Sequence, residues 1–431
     1  MPRLCFARAF TLAVSLSLTP SLPAADWPMW RGIRTDGTTT ETKFPTTWSG
    51  TDNIAWKTAI PGSGHSSPIV SNGRVFLTGC LEGDAPKPDG KKGANLPPDP
   101  TPRPRVLYCL DRKDGKILWQ QEPVAAPLER KHKLNSYASS TPAADGERVY
   151  ITFFDAPKLR VFCYDFSGKK LWEQTPGEFH SVHGFCAPPI LYKDLVIVNA
   201  DQDAKGELRA YIVAFDKTTG KEKWRIDRPN RLRSYCPPVI VQAGGRTQMI
   251  LTGSKCVTSY DPDTGEQLWI VNGPTEQFVS SVVFHDGIVF LTAGFPERWV
   301  MAIDPTGKGN VTNTNILWSQ KNDGGYVPSP VAHRGYFYLV TDEGLASGWE
   351  AKSGKRVWRE RLGGHHSGSG VVAGGNVYFT DDNGVTFVVK ASPEFEVVAK
   401  NPLGKKCYSS PAFSDGQIFL RGENHLFCIG K

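Results

Sequence analysis

Short apolar runs alternate with polar turn segments along almost the whole chain. Runs rich in Val, Ile, Leu, Phe and Tyr follow turns such as Asn72–Gly73, Asp145–Gly146 and Asp286–Gly287. β-Branched and aromatic residues bounded by Gly, Asn and Asp are typical of strands that are joined by tight turns. The pattern therefore predicts an all-β fold built from antiparallel hairpins.

One hairpin recurs with a fixed spacing between a glycine and a tryptophan. An Asp or Glu opens its turn, and the tryptophan closes its second strand four residues after the glycine. The pairs are Gly115 and Trp119, Gly168 and Trp172, Gly220 and Trp224, Gly265 and Trp269, and Gly354 and Trp358. A looser sixth copy joins Gly307 to Trp318. The tryptophans are spaced 40 to 53 residues apart, which is the period of a four-stranded propeller blade.

A second motif, rich in Ser and Pro, alternates with this hairpin and leads into the first strand of each repeat. Its eight copies begin at Ser66, Ser140, Pro188, Pro237, Ser280, Pro328, Ser367 and Ser409. The last repeat lacks a tryptophan strand, whereas the segment around Trp56 has one with no strands before it. Pairing these two pieces predicts a single eight-bladed β-propeller over residues 52–431, closed by the N-terminal strand. An open stack, or seven blades with one degenerate unit, stays open as an alternative because residues 390–398 lack the Gly–Trp turn.

The repeated Asp-x-x-Thr-Gly-Lys-x-x-Trp hairpin resembles the PQQ-like, or quinoprotein-type, repeat family. The run from Asp26 to Gly32 (DWPMWRG) is similar to the start of exported bacterial members. The resemblance implies that each Trp packs between blades and that each Asp caps its turn, so these residues are expected to be structural. It does not decide function, because the family includes quinone-dependent alcohol and glucose dehydrogenases as well as non-enzymatic propellers.

Three segments of the chain lie outside the repeat. Residues 1–25 run from basic through apolar to small residues, which predicts a secretory signal peptide cleaved after Ala25. Residues 26–51 form an N-terminal extension, and the Pro-rich residues 81–105 are expected to form a flexible surface loop. We therefore expect an exported protein, periplasmic or extracellular, that is a monomer. No later segment is apolar enough to span a membrane.

Charge and cysteine content narrow the function classes further. The net charge of +7 is spread along the chain without basic blocks, which argues against nucleic-acid binding. Eight cysteines remain after the leader, and an even count in an exported protein allows disulfides. Cys109, Cys163 and Cys428 lie in apolar strands, which favours buried free thiols at these positions.

Candidate ligand-binding residues lie just before the first strand of each repeat. If those strands surround the channel, one ring from nearly every blade reaches the same mouth, with basic residues close by. The predicted set is His65, Tyr137, His183, Phe185, Arg233, Tyr235, Phe278, Tyr326, His365, His366, Lys405 and Tyr408. Rings would stack on a planar ligand and cations would bind its acidic groups. The alternative is that these rings simply fill the channel.

No catalytic residues and no metal ligands are assigned from the sequence. The adjacent cysteines of quinoprotein alcohol dehydrogenases and a haem-binding C-x-x-C-H motif are absent from the chain. Residues 201–207 look calcium-like, but Lys205 stands where an oxygen ligand is needed. We therefore predict a non-catalytic scaffold that binds a protein or a small anionic or planar ligand. A pyrroloquinoline-quinone-dependent dehydrogenase with calcium, acting on alcohols or sugars, is the alternative.

Overall fold

A computed structural model describes residues 26–83, 95–203, 208–228 and 230–430. The predicted signal peptide and residues 204–207 of the calcium-like loop lie outside this part of the chain. Within the described residues the regular elements are all strands. They form eight four-stranded antiparallel units, so the prediction of an eight-bladed, all-β propeller is confirmed.

The strands follow the chain from the first blade to the eighth. The first strand of the chain is β1 (Ile54–Ala59). Blade 1 contains β2 (Ile69–Ser71), β3 (Arg74–Cys80), β5 (Asp99–Asp111) and β6 (Ile117–Leu128), and blade 2 contains β8 (Ala143–Ala144), β9 (Arg148–Asp155), β10 (Lys158–Asp165) and β11 (Lys170–Glu178). Blade 3 contains β12 (Ile190–Tyr192), β13 (Leu195–Ala200), β14 (Tyr211–Asp216) and β15 (Glu222–Asp227). Blade 4 contains β16 (Val239–Ala243), β17 (Arg246–Gly253), β18 (Cys256–Tyr260) and β19 (Gln267–Asn272). A small separate sheet near blade 1 pairs β4 (Asn95–Leu96) with β7 (Lys131–His132).

The second half of the ring repeats this arrangement. Blade 5 contains β20 (Val283–His285), β21 (Ile288–Ala293), β22 (Trp299–Ile303) and β24 (Ile316–Lys321), and blade 6 contains β25 (Val331–His333), β26 (Tyr336–Val340), β27 (Leu345–Glu350) and β28 (Arg356–Arg361). Blade 7 contains β29 (Val371–Ala373), β30 (Asn376–Thr380), β31 (Val385–Lys390) and β32 (Val397–Pro402). Blade 8 contains β33 (Ala412–Ser414), β34 (Gln417–Gly422) and β35 (His425–Ile429) together with β1. First strands of neighbouring blades contact one another, which places them around the central channel.

Strand β1 completes blade 8 by pairing antiparallel with β35, the last strand of the chain. The register joins Trp56 to Cys428 and Thr58 to Leu426. This is the pairing that the two incomplete repeats predicted, and it gives β35 a partner on both sides. The chain thus closes its own ring through hydrogen bonds between its first and last strands.

In most blades the tryptophan of the repeated hairpin donates a hydrogen bond to the glycine turn of the next blade. Trp56 Nε1 donates to Arg112 O at 2.9 Å, and the same contact recurs between Trp172 and Lys217 O at 3.0 Å. The indole of Trp56 covers Gly115, where a Cβ would lie 2.4 Å from the ring. Gly115 also has a φ of +73°, so both the turn and the overlying ring require glycine.

Trp269 departs from this scheme. Its Nε1 donates to the side chain of Gln248 in its own blade, at 2.7 Å, and its ring is fully buried. The looser turn before Trp318 adds β23 (Gly309–Asn310), which pairs in parallel with β19. The longer turn therefore places an extra strand beside Trp269, with Gly309 as its partner in the ladder, where the other blades have a compact glycine turn.

Part of the Pro-rich segment that was predicted as a loop belongs to a strand. Residues 99–105, which we expected in a flexible loop, extend β5 and pair with β6 through Arg103 and Ala126. This extension runs beyond the end of β3, so each of its residues before Arg105 has a strand neighbour on one side only. Prolines are tolerated there because the unpaired side of an edge strand needs no amide donor. The buried pair of Arg105 and Glu129, at 2.8 Å, fixes its base.

The extension over residues 26–51 crosses the face of the ring opposite to the predicted ligand mouth. Trp27 exchanges two backbone hydrogen bonds with Val70 of blade 1, each 2.9 Å long. Further along, Thr39 N donates to Val372 O of blade 7, and Trp48 stacks on Tyr378. The extension is therefore an ordered segment, which we call the strap, and it contacts several blades of the ring.

Candidate functional site

A cavity of about 510 Å³ opens at the channel mouth, where the loops preceding the innermost strands converge. All eight blades contribute to its wall, and Trp30 of the strap joins the lining. Its volume is within the range of about 300–1,000 Å³ that is usual for small-molecule pockets. The propeller therefore keeps space at this mouth instead of filling it completely.

Seven of the twelve predicted binding residues line this cavity. They are His65, His183, Arg233, Tyr235, Tyr326, His365 and Tyr408. Each precedes the innermost strand of its blade, so the repeated offset along the sequence becomes one level around the channel. Ligand binding by these residues stays a prediction, but the structure brings them to a common space.

The other five predicted residues lie outside the cavity lining. Tyr137 packs beneath Arg105 and Lys131, and Phe185 packs edge-on against Phe179 with ring centroids 5.1 Å apart. Phe278 is fully buried in a hydrophobic cluster between blades 4 and 5. Placing these rings at the mouth was wrong, because each turns into the space between two blades.

His366 and Lys405 are the other two predicted residues that lie outside the cavity lining. His366 is fully buried, and its Nδ1 lies 3.2 Å from Gly364 O, so it belongs to the interior of blade 7. The neighbouring His365 takes the place at the cavity. The backbone of Lys405 packs against Gly384 of blade 7, and its side chain does not reach the wall. The side chains of these two consecutive histidines therefore point in different directions, one to the cavity and one into the blade.

The imidazoles around the cavity differ in the direction in which their pKa values are shifted. His65 stacks on Tyr408 with centroids 4.4 Å apart, and burial followed by the charge of Arg421 lowers the pKa of His65 to about 3. Burial followed by the charge of Arg233 lowers the pKa of His183 to about 4. By contrast, a hydrogen bond to Asp382, 2.7 Å from Nδ1, raises the pKa of His365. Burial thus favours the neutral form of His65 and His183, whereas the hydrogen bond to Asp382 stabilises the charged form of His365.

The carboxylates near the cavity are already paired with donors. Asp203 binds Arg233 at 2.6 Å, and Asp342 accepts hydrogen bonds from Tyr326 N at 2.8 Å and Arg298 Nη2 at 3.0 Å. Calcium requires several oxygen ligands, including carboxylates that are free to coordinate it. No group of three or more His, Cys, Asp or Glu side chains in the described residues could hold a metal ion. Among the described residues, the oxygen atoms near the cavity therefore do not form a calcium site that would support a quinone.

A ring of hydroxyl groups lies below the histidines, at the start of the innermost strands. In consecutive blades a backbone N–H donates to the hydroxyl of the next blade, over distances of 2.9 to 3.0 Å. The accepting residues are Ser329, Ser369, Ser410, Ser67 and Thr141. We call this set the hydroxyl ring. Each member holds two blades together and still has its own proton to donate.

Sequence reasoning missed several residues of the wall. The cavity is also lined by Trp30, His132, Gln277 and Asp342. None of these residues lies at the fixed offset before the innermost strand of a blade. His132 lies edge-on to His183, with centroids 5.6 Å apart. The start of the strap carries a family motif, but nothing local in it indicates that it reaches the channel.

The comparisons with known proteins agree with this architecture. The family model for the outer membrane protein assembly factor BamB matches residues 103–360 and 296–394, which together are more than half of the chain. The chain belongs to the PQQ-like β-propeller family. A quinohemoprotein alcohol dehydrogenase, ADH IIB of Pseudomonas putida, is 27% identical over 28% of the chain and 17% of its own length. The chain thus spans only a small part of this curated relative.

Two solved structures show the same fold at low identity. Quinohemoprotein alcohol dehydrogenase from Comamonas testosteroni gives a TM-score of 0.63 at 13% identity, covering 94% of this chain and 81% of that one. BamB from Moraxella catarrhalis gives 0.55 at 12% identity, covering 76% and 94%. An alcohol dehydrogenase and BamB are therefore both similar in fold to this chain.

Proposed function

We propose that this PQQ-like propeller is an exported, non-catalytic protein that binds a small planar or anionic ligand in the cavity at its channel mouth. The observation that carries the proposal is the composition of the wall. Rings from His65, Tyr326 and Tyr408 offer faces for stacking, while Arg233, already paired with Asp203, has further N–H groups that can donate. Nearby carboxylates are held by other side chains instead of facing a reacting group.

The wall contains polar atoms without hydrogen-bond partners, which supports ligand binding over rings that only fill the channel. The Nδ1 of His183 is buried and has no hydrogen-bond partner among the described residues. A buried polar group without a partner costs about 1–3 kcal/mol, so a ligand that bonds to it recovers that energy. A wall that served packing alone would favour apolar residues at this position.

A thermal-shift screen tests this proposal. The panel contains saccharides, aromatic carboxylates and pyrroloquinoline quinone, and the protein variants are His183→Ala combined with His365→Ala. We expect a compound that raises the Tm of the wild type and has a much smaller effect on the double variant. His180→Ala, an exposed histidine on the same loop as His183, is the matched control. A double variant that melts early, with no compound acting on the wild type, would identify the rings as packing.

A quinone-dependent dehydrogenase acting on alcohols or sugars is the second candidate. The sequence similarity to ADH IIB and the rings of the wall favour it. The engagement of Asp203, Asp342 and Asp382 with their partners opposes it. Purified protein supplied with pyrroloquinoline quinone and calcium should give no alcohol- or sugar-dependent dye reduction. Robust turnover would reverse the order of the two proposals.

Export and assembly also belong to the proposal. We infer export to the periplasm or beyond from the leader pattern of residues 1–25. Among the residues that the structure describes, no helix has the length and apolar character needed to cross a membrane. A monomer or a complex with a protein partner at the propeller mouth is consistent with a ring that closes on itself.

A further inference from the structure

The strap crosses the channel directly beneath the cavity. Met29 packs with Ile190 of blade 3, and two residues later Arg31 donates a hydrogen bond to Pro330 O of blade 6. Blades 3 and 6 are three positions apart in a ring of eight, so the intervening residue spans the opening. Trp30 is that residue, and its ring forms part of the cavity lining.

Arg31 is the buried cation under this floor. Its side chain is 1% exposed, and its Cζ lies 5.6 Å from the centre of the Trp30 ring. Nη2 donates to Pro330 O and to Asp36 O, the latter at 2.7 Å, but Nε and Nη1 are buried without a hydrogen-bond partner. Burial lowers the pKa of Arg31 to about 10, which leaves it charged at neutral pH.

No carboxylate in the described residues forms an ion pair with this guanidinium. The negative charge of Asp36 acts on Arg31 from a distance, and its Oδ1 accepts hydrogen bonds from the backbone and hydroxyl of Thr38, at 2.8 and 2.7 Å. The structure therefore contains a buried positive charge whose direct hydrogen-bond partners are carbonyl groups. An isolated buried charge is costly unless an opposite charge compensates it.

The hydroxyl ring supplies the second part of an anion site. Pro330, which accepts from Arg31, directly follows Ser329 of the ring. Gly370 follows Ser369, and a Cβ on Gly37 would lie 2.9 Å from Arg31 Nη2 and 3.0 Å from Gly370 O. The guanidinium thus lies against the two blades whose ring hydroxyls stand one residue away.

The ring hydroxyls are suited to donate toward an anion. Each accepts a backbone N–H, and this polarises its O–H group and makes it a stronger donor. The hydroxyls of Ser67, Thr141, Ser369 and Ser410 face the cavity and donate to no other group in the described part of the chain. Four donors around one opening, with a buried cation next to it, form a positive environment for a small anion.

We propose that the throat of the propeller, between Arg31 and the hydroxyl ring, is a binding site for a small anion such as a halide or a carboxylate group. The anion compensates the buried guanidinium and accepts from the ring hydroxyls. It is either a free inorganic ion or an acidic group of a larger molecule in the cavity. The free-ion form of the site does not depend on the proposed function, whereas the carboxylate form rests on the ligand proposed for the cavity.

Bromide diffraction tests the site on the unaltered protein. Crystals of the mature protein are soaked in sodium bromide, and the anomalous signal of bromide is mapped. We expect a peak at contact distance from Nε or Nη1 of Arg31. A map with bromide on the protein surface and none at the throat overturns a halide site, and difference electron density from crystals soaked in acetate then decides the carboxylate form.

Anion-dependent melting provides the second arm. At constant ionic strength, the sodium salt of a bulky sulfonate buffer, which contains neither a halide nor a carboxylate, is replaced stepwise by bromide or acetate. The wild type should gain a few degrees in Tm and then saturate, because a ligand that binds only the folded state stabilises it. Arg31→Gln should lose this gain, while Arg34→Gln, an exposed arginine on the same strap, should keep it.

The results separate the sources of the anion and can reject the site. Stabilisation by bromide and acetate alike indicates a free ion, whereas stabilisation by acetate alone indicates a carboxylate of a larger ligand. Equal anion responses in wild type and folded Arg31→Gln, with no density at the throat, would overturn the proposal. If Arg31→Gln does not fold, the diffraction arm alone decides.

Discussion

The glycine turn that receives Trp56 tests how the ring is closed. Gly115 has a φ of +73°, and a Cβ there would lie 2.4 Å from the indole. Gly73 of the same blade has a φ of +74°, and nothing lies within 4 Å of the position that a Cβ would take there. Gly115→Ala therefore meets backbone strain and a collision, whereas Gly73→Ala meets the strain alone.

The expected magnitudes follow from these two contacts. A left-handed backbone costs alanine about 1–2 kcal/mol at either position. Collision with the indole adds about 1–3 kcal/mol at Gly115. Trp56→Ala costs about 3–5 kcal/mol by itself, and it also removes the indole from the path of the methyl group, which leaves Thr58 Oγ1, 2.6 Å from the Cβ position, as the remaining close atom. In the double variant, Gly115→Ala should therefore be cheaper by about 1–3 kcal/mol than in the wild type.

Chemical unfolding followed by near-ultraviolet circular dichroism measures this cycle. The wild type, the two single variants and the double variant give the coupling free energy, with Gly73→Ala as the matched control. Additivity within about 0.5 kcal/mol would refute an indole-on-glycine lock at the closure. So would equal destabilisation by Gly115→Ala and Gly73→Ala.

Three further predictions concern single residues. Asp201→Asn breaks the fully buried ion pair with Arg228, 3.0 Å long, and should destabilise the protein by about 3–5 kcal/mol in urea unfolding. Trp172→Phe removes one interblade hydrogen bond and part of the ring that lies over Gly220, and should cost about 1–3 kcal/mol in the same assay; no measurable loss would contradict a contact between the two blades at this residue. The folded-state pKa values of His65 and His183, about 3 and 4, lie below the ordinary 6.5, so the unfolded chain binds protons first and stability should fall from pH 6.5 toward pH 4. His65→Gln should flatten this decline in melting experiments, and an unchanged slope would contradict the assignment.

The repeat architecture could be predicted because its determinants are local. A glycine four residues before a tryptophan defines one hairpin, and the incomplete first and last repeats specify that Trp56 pairs with the end of the chain. These features need no knowledge of distant contacts. The exception at Trp269 could not be predicted, since Gln248 reaches it from another strand of the blade.

The candidate site could be predicted only in part. A fixed offset before each innermost strand found His65 and Tyr408, but it could not tell His365 from His366, because the conformation of the loop decides which of the two side chains reaches the cavity. Trp30 reaches the cavity through the path of the strap across the ring. That path depends on contacts with blades far away in sequence, so the sequence motif alone does not reveal it.

The position of a bound compound tests the central claim most directly. A crystal structure with the compound that gives the largest thermal shift should show it in the cavity above Trp30, with His183 and Tyr408 in contact. The account predicts that its ring or polar groups meet the wall and that the blades stay in place. A compound bound elsewhere on the propeller, with the cavity containing solvent alone, would contradict the claim that the channel mouth is the ligand site.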